Sequence, residues 1–120
     1  MCYRAFEDYA TEYADGAARL RSEWTLATGL EIYVRRSIRY PGIIVLANIV
    51  AYPAQQGHLT RFLEEWSPRL PLEVEHPHNP HLKAFLGRLG WRSQEVWGDV
   101  HVYNALAQEI VDDVHAARGF

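Results

Sequence analysis

Hydrophobic positions near the N-terminus recur at spacings of three and four residues, which is the period of one face of an α-helix. The positions are Tyr3, Phe6, Ala10, Tyr13, Ala17, Leu20 and Trp24. We therefore predict a helical region that ends at Thr28–Gly29, with a kink or a break into two helices at Gly16. Its simplest role is to cover one face of a sheet. Because the stripe is rich in aromatic residues, the alternative is a partner groove or a substrate-binding wall.

The pattern then changes to alternation, which is typical of β-strands. Residues 30–39 alternate in this way, and residues 40–42 supply a turn with Pro and Gly. Residues 43–52 are apolar on both faces, which predicts a central strand buried under helices. Asn48 is the polar exception in this strand, and a buried amide needs a hydrogen-bond partner. That partner is either neighbouring backbone at a bulge or a group at a reaction centre.

A helical period returns in residues 58–66, and Ser67–Pro68 ends it because the residue before proline avoids the α region. Its apolar face consists of Leu59, Phe62, Leu63 and Trp66. Residues 71–75 form a second strand in which Leu72 and Val74 point one way and Glu73 and Glu75 the other. The order of strand, turn, helix and strand predicts a βαβ unit.

A second helix is predicted over residues 80–89, with Asn79 as N-cap, Pro80 at the first helical position and Gly90 as C-cap. Its predicted buried stripe is Leu82, Phe85, Leu86 and Leu89. Residues 93–97 and 100–103 predict a hairpin across Gly98–Asp99. A last helix, with Leu106, Ile110 and Val114 on one face, packs on the sheet or on a second copy of the chain as a homodimer.

Composition narrows the function classes. A chain of 120 residues corresponds to a single domain over 1–120, and a net charge of −3 without long basic runs gives no reason to expect nucleic-acid binding. The apolar runs are too short to span a bilayer, so no membrane association is expected. Cys2 is the only cysteine and the N-terminus has no signal-peptide core. Both features favour an intracellular, cytoplasmic location.

The turn before the helix predicted over residues 58–66 is a candidate phosphate site. A turn that leads into a helix N-terminus leaves backbone N–H groups unbonded and presents a favourable dipole to an anion. Gly57 lets the backbone approach a ligand closely. The candidate donors are the backbone amides of Gln55, Gly57, Leu59 and Thr60.

The turn and helix over 53–66, followed by Asn79 through Trp91, resemble two segments of the Gcn5-related N-acetyltransferases: the coenzyme-A-binding turn and helix, and the later Asn-x-x-Ala…Gly-Phe helix. The segments Thr60-Arg61-Phe62-Leu63 and Asn79-Pro80-His81-Leu82 are similar in sequence to segments of short bacteriophage members of that family. The resemblance covers roughly residues 30 to 103. It implies an α+β fold: a central mixed, mostly antiparallel sheet with a splayed parallel pair, flanked by helices.

The resemblance also implies an acetyl-coenzyme A or related acyl-coenzyme A cofactor. The residues placed at the cofactor are Ala51, Tyr52, Gln55, Gln56, Gly57, His58, Leu59, Thr60, Asn79 and Phe85. Three positions depart from the family pattern. Ala54 and Leu59 replace a polar and a small residue of the phosphate turn, and Leu86 stands where a tyrosine often protonates the departing thiolate.

Glu75 and His76 are the candidate catalytic residues, because a carboxylate or imidazole at the mouth of the splay can act as general base on an amine. His76, His78 and His81 form a histidine cluster, but no metal is expected, since such tracts suggest metal binding only by composition. Asp99 and His101 offer an acid–base pair on a predicted surface hairpin.

Two functions remain open. The first is N-acyl transfer to an unidentified amine acceptor, by direct attack on the thioester. The second is a catalytically lapsed member that binds a macromolecule, for example a phage protein acting on a host enzyme or defence protein in the host cytoplasm.

Overall fold

The computed structural model describes residues 4–14, 22–51, 57–75, 80–96 and 98–118. In chain order the elements are β1 Arg4–Ala5, α1 Phe6–Ala14, β2 Glu23–Ala27, β3 Leu30–Arg36, β4 Ile44–Ala51, α2 His58–Trp66, β5 Leu72–Glu75, α3 Pro80–Arg88, β6 Arg92–Val96, β7 Asp99–Tyr103 and α4 Ala105–Ala117. None of the helices in these ranges combines the length and apolar character needed to cross a membrane.

The strands form one seven-stranded sheet in the order β1-β2-β3-β4-β5-β7-β6. Two neighbouring pairs are parallel, β1 with β2 and β4 with β5. The other pairs are antiparallel. The expected α+β class with a mixed, mostly antiparallel sheet is therefore confirmed. The helix α2 connects the parallel strands β4 and β5, as the predicted βαβ unit requires.

Two apolar clusters lie on opposite faces of this sheet. On the larger one, side chains of α1, α2 and α3 pack on β3, β4 and β5, with Ile44 and Leu72 fully buried. On the other face, Ala107 and Val111 of α4 pack with Tyr40, Ile43 and Tyr103. Because successive residues of a strand point to opposite faces, Ile43 and Ile44 belong to different clusters.

The N-terminal prediction is wrong in its second half. Residues 15–21 lie outside the described residues, and Glu23–Ala27 is the strand β2 instead of helix. It pairs with β3 from Glu23↔Val34 to Ala27↔Leu30 across the two-residue turn Thr28–Gly29. Trp24 therefore contacts Tyr33 of β3, with ring centroids 5.3 Å apart. The segment has helical spacing of its apolar residues, but it forms a strand because it pairs with β3.

Asn48 is exposed, so the prediction that it is a buried amide is wrong. The pairing of β3 with β4 shifts by one residue at this point, because Tyr33 pairs with Asn48 and Val34 pairs with Leu46. Ala47 is the extra residue, which is the pattern of a β-bulge. The bulge that was one of the two expectations for this segment is present, but it carries Asn48 toward solvent.

Two further details differ from expectation near the C-terminus. Leu89 follows the end of α3 and is exposed instead of buried, whereas Leu86 and Trp91 are buried as predicted. In the hairpin, Val96 pairs with Asp99, so Asp99 belongs to β7 and not to the turn, which was predicted at Gly98–Asp99. Gly98 supplies the positive φ of 85° in that loop.

Asn104 joins α4 to the loop before β5. Its Oδ1 accepts hydrogen bonds from the backbone N–H groups of Leu72 (3.0 Å) and Ala107 (2.9 Å). Its Nδ2 donates to the carbonyl oxygens of Leu70 (2.7 Å) and Ser67 (3.1 Å). The side chain is both the N-cap of α4 and the link that fixes this helix beside β5.

Candidate functional site

The parallel strands β4 and β5 are paired over only a short length. The pairs are Ile44↔Leu72, Val45↔Glu73 and Leu46↔Val74. Beyond them β4 continues to Ala51 and pairs with β3, whereas β5 ends at Glu75. Within the described residues, the backbone of β4 after Leu46 thus has no β5 partner. The bulge at Ala47 lies at the start of this unpaired edge.

Glu73 lies on β5, where it pairs with Val45 of β4, and faces away from the main core. Its neighbours Leu72 and Val74 point into that core, so Glu73 points toward the face that carries α4. The residue is only 3% exposed. Burial raises the pKa of Glu73, and a hydrogen bond to His101 opposes this shift because it favours the charged form.

His101 on β7 is the hydrogen-bond partner of Glu73. Its Nδ1 lies 2.8 Å from Glu73 Oε2. When Glu73 is ionised its oxygens can only accept, so Nδ1 carries the hydrogen and Nε2 the basic lone pair. A carboxylate that orients an imidazole in this way is the arrangement used by general bases in acyl transfer.

Tyr103 lies beside this pair, and Glu73 and Tyr103 are register partners on β5 and β7. Burial raises the pKa of Tyr103 above its ordinary value, and the negative charge of Glu73 raises it further. The hydroxyl therefore stays protonated at neutral pH and contributes a dipole, not a charge, to the site.

Glu75 is the second carboxylate of the cluster, and the Arg35 guanidinium on β3 forms an ion pair with its Oε2. Both side chains are about a quarter exposed, at 27% for Arg35 and 22% for Glu75. The predicted catalytic residue Glu75 therefore lies in the same cluster as Glu73 and His101. An amine that used Glu75 as base would first have to displace Arg35 from it.

Among the described residues, Glu73, Glu75 and His101 are close enough together that they could hold a metal ion. Ligand atoms of Glu73, Glu75 and His101 lie within 4.8 Å of one another. However, Arg35 already neutralises Glu75, and the guanidinium would repel a cation at that position. The donor set thus fits acid–base chemistry better than metal binding.

The N-terminus of α2 lies at the far end of β4 from the paired segment. Gly57 precedes the helix with φ of 72°, and the first intrahelical bond runs from Arg61 N–H to Gly57 O at 3.1 Å. The amides of His58, Leu59 and Thr60 precede that bond and have no intrahelical acceptor. The Arg61 guanidinium lies 3.1 Å from His58 Nδ1, which places positive charge at this helix end.

The structure describes six of the ten predicted cofactor residues. Gly57, His58, Leu59 and Thr60 lie together at the start of α2, whereas Phe85 on α3 and the Leu59 side chain pack against the main core. Ala51 is the last residue of β4. Tyr52, Gln55, Gln56, His76 and Asn79 lie outside the described residues.

Glu73 and His101 are the residues that the sequence did not bring together. The alternation over 71–75 correctly placed Glu73 and Glu75 on one face. His101 was paired only with Asp99, its neighbour along the hairpin. His101 lies beside Glu73 because β5 and β7 are neighbours in the sheet. This neighbourhood can be predicted only when the strand order of the whole sheet is known.

Comparison with family models, with curated proteins and with solved structures found no match to this chain.

Proposed function

We propose that this chain is an acyl-coenzyme-A-dependent N-acyltransferase of the Gcn5-related type. The observation that carries the proposal is the short parallel pairing of β4 with β5, over three residue pairs, next to the Glu73–His101 pair. In that family a splayed parallel pair at this place in the fold admits the pantetheine arm of the cofactor. The gap then brings the thioester to the residues that accept a proton.

The nucleotide end of the cofactor is assigned to the N-terminus of α2. Its first-turn amides and the helix dipole favour a pyrophosphate. The Arg61 guanidinium adds positive charge beside them. The Leu59 side chain packs against the main core, which leaves the first-turn amides of α2 to a ligand.

The reaction is direct transfer. An amine proton passes to His101 as the amine nitrogen attacks the thioester carbonyl. The C–N bond forms, the C–S bond breaks, and the thiolate of coenzyme A takes up a proton. Glu73 orients the imidazole and stabilises its protonated form. Within the part of the chain that the structure describes, the β4 edge after Leu46 has no β5 partner, and backbone N–H groups there are suited to polarise the carbonyl oxygen.

A second function is favoured by one observation at Leu86. This side chain is 0% exposed and fully part of the main core, at the position where the family often carries a proton-donating tyrosine. A chain that lacks this proton donor and does not catalyse acyl transfer would keep the same fold and act as a binding protein. Under this alternative the target is a macromolecule such as a host enzyme or defence protein.

Titration calorimetry with acetyl-coenzyme A tests the proposed cofactor directly. We expect saturable binding that weakens in R61Q, because the phosphates lose a cationic partner. R69Q is the matched control: Arg69 lies just after the other end of α2, paired with Glu65 and stacked on Trp66. Absence of binding at millimolar cofactor, or equal effects of R61Q and R69Q, would reject the proposed cofactor site.

A further inference from the structure

A cleft opens on the α4 side of the sheet and leads to the Glu73–His101 pair. Its volume is about 340 Å³, at the lower end of the range for small-molecule sites. Its lining includes Arg35, Ile38, Arg39, Glu73, His101 and Tyr103. The volume suits a molecule of amino-acid size and excludes a folded segment of another protein.

The two ends of this cleft carry opposite charge. Glu73 lies buried at the inner end, beside Glu75. At the rim, Arg39 stacks over the Tyr40 ring at 5.1 Å and donates from Nη2 to the Tyr40 hydroxyl at 3.3 Å. These contacts hold the guanidinium in place. Among the described residues, no carboxylate lies within ion-pair distance of Arg39, whereas Arg35 is already paired with Glu75.

Ile38 lies next to Arg39 at the rim and is 93% exposed. An isoleucine in water gains free energy when a ligand covers it, in proportion to the apolar area removed from solvent. The rim therefore offers one apolar contact and one anion-binding group. The inner end offers the acid–base pair.

We infer that the acceptor is a small amino acid, that is, a primary amine which also carries a carboxylate. Its amine lies at His101 and Glu73, its carboxylate pairs with Arg39, and its carbon skeleton covers Ile38. This inference rests on the proposed acyl transfer, because it names the acceptor of that reaction. A polyamine would place a second positive charge against Arg39, and a simple alkylamine would leave Arg39 without a ligand partner.

The test uses ω-amino acids from glycine to 6-aminohexanoate and n-alkylamines of the same chain lengths. Dissociation constants are measured by calorimetry on the intact chain, with and without saturating coenzyme A. We expect at least one amino acid to bind about tenfold more tightly than its matched alkylamine, as one charge-assisted hydrogen-bonded pair predicts. In R39Q this ratio falls to about one, whereas R39K keeps part of it.

R88Q is the matched control, because Arg88 also stacks on an aromatic ring, at 5.9 Å from Phe85, but lies on α3 away from the cleft. It should keep the full preference for the amino acid. Equal binding of amino acids and alkylamines, an unchanged ratio in R39Q, or no binding of any probe at millimolar concentration overturns the inference. If acetyl-coenzyme A binds in each of those cases, only the acceptor assignment fails. Loss of cofactor binding instead removes the proposed function.

Discussion

His101 Nδ1 and Glu73 Oε2 lie 2.8 Å apart, on two strands that are neighbours in the sheet but separated by a helix and a strand in the chain. The charged groups that face this pair are Arg35, Glu75 and Arg39, together with the neutral Tyr103 hydroxyl. The cluster joins three strands. Its protonation state is therefore linked to the stability of the fold.

Replacement of Glu73 by Gln should change how stability depends on pH. Burial raises the pKa of Glu73 in the folded chain above its ordinary value of 4.5, so the folded state holds this proton more tightly than the unfolded state. The stability that Glu73 contributes is then fully present below pH 4.5 and falls as pH rises through its folded pKa. We expect the difference in unfolding free energy between wild type and E73Q to fall over that window, measured by urea denaturation from pH 4 upward. A difference that rises with pH would show that the His101 hydrogen bond outweighs burial.

Asn104→Ala should destabilise the fold strongly. The Asn104 side chain is 1% exposed, and its loss leaves the buried Leu72 N–H and the Leu70 carbonyl without their partner and removes the cap of α4. We expect a loss of about 3 kcal/mol or more in urea denaturation. Q108A on the same helix removes only an exposed bond to Asp112 and should cost less than about 0.5 kcal/mol. Similar costs for the two variants would contradict the assigned role of Asn104.

Gly29→Ala should destabilise the chain by more than the backbone conformation alone explains. A Cβ at Gly29 would overlap the His58 ring, in addition to the strain of φ at 72°. Gly90 has φ of 84° with open space around a built Cβ, so G90A measures the strain without the overlap. We expect G29A to cost at least about 1 kcal/mol more than G90A, in line with overpacking. The excess should disappear when H58A is combined with G29A.

Tyr9→Phe should leave stability unchanged or raise it by up to about 2 kcal/mol. The Tyr9 side chain is fully buried, and the described residues provide no hydrogen-bond partner for its hydroxyl. Burial raises the pKa of Tyr9 to about 12, which reflects the same desolvation. An unsatisfied buried hydroxyl is costly, so its removal is favourable. Y40F is the control: Tyr40 is also buried, but its hydroxyl lies 3.0 Å from His115 Nε2, and its loss should destabilise. A loss above about 1 kcal/mol in Y9F would reveal a partner for Tyr9.

Local signals predicted much of the fold. The bounds of α2 agree with the prediction: Gly57 precedes the helix with φ of 72°, and Ser67–Pro68 follows its last residue. The reason given for its end is wrong, because Ser67 keeps α-region angles before Pro68. The strands on either side of α2 and the α+β class were also correct. These features depend on periodicity and turn chemistry within a few residues, which a single sequence contains.

The errors occurred where distant pairing decides the structure. Trp24 fits a helical stripe by spacing, but its segment pairs with β3 and becomes a strand. Asn48 fits a buried central strand, but within the described residues the pairing of β4 with β5 ends at Leu46, and Asn48 follows a bulge and is exposed. The Glu73–His101 pair requires β7 to lie beside β5. No local pattern encodes that adjacency.

The most direct test of acyl transfer is the rate of coenzyme A thiol release from acetyl-coenzyme A in the presence of small primary amines and amino acids. We predict release above the protein-free rate for wild type and for H81Q, whose histidine is exposed on α3. In H101Q the rate should fall by roughly 10²-fold, as expected for loss of a general base. Wild-type rates in H101Q, or no release with any of these acceptors, would contradict acyl transfer at the Glu73–His101 pair.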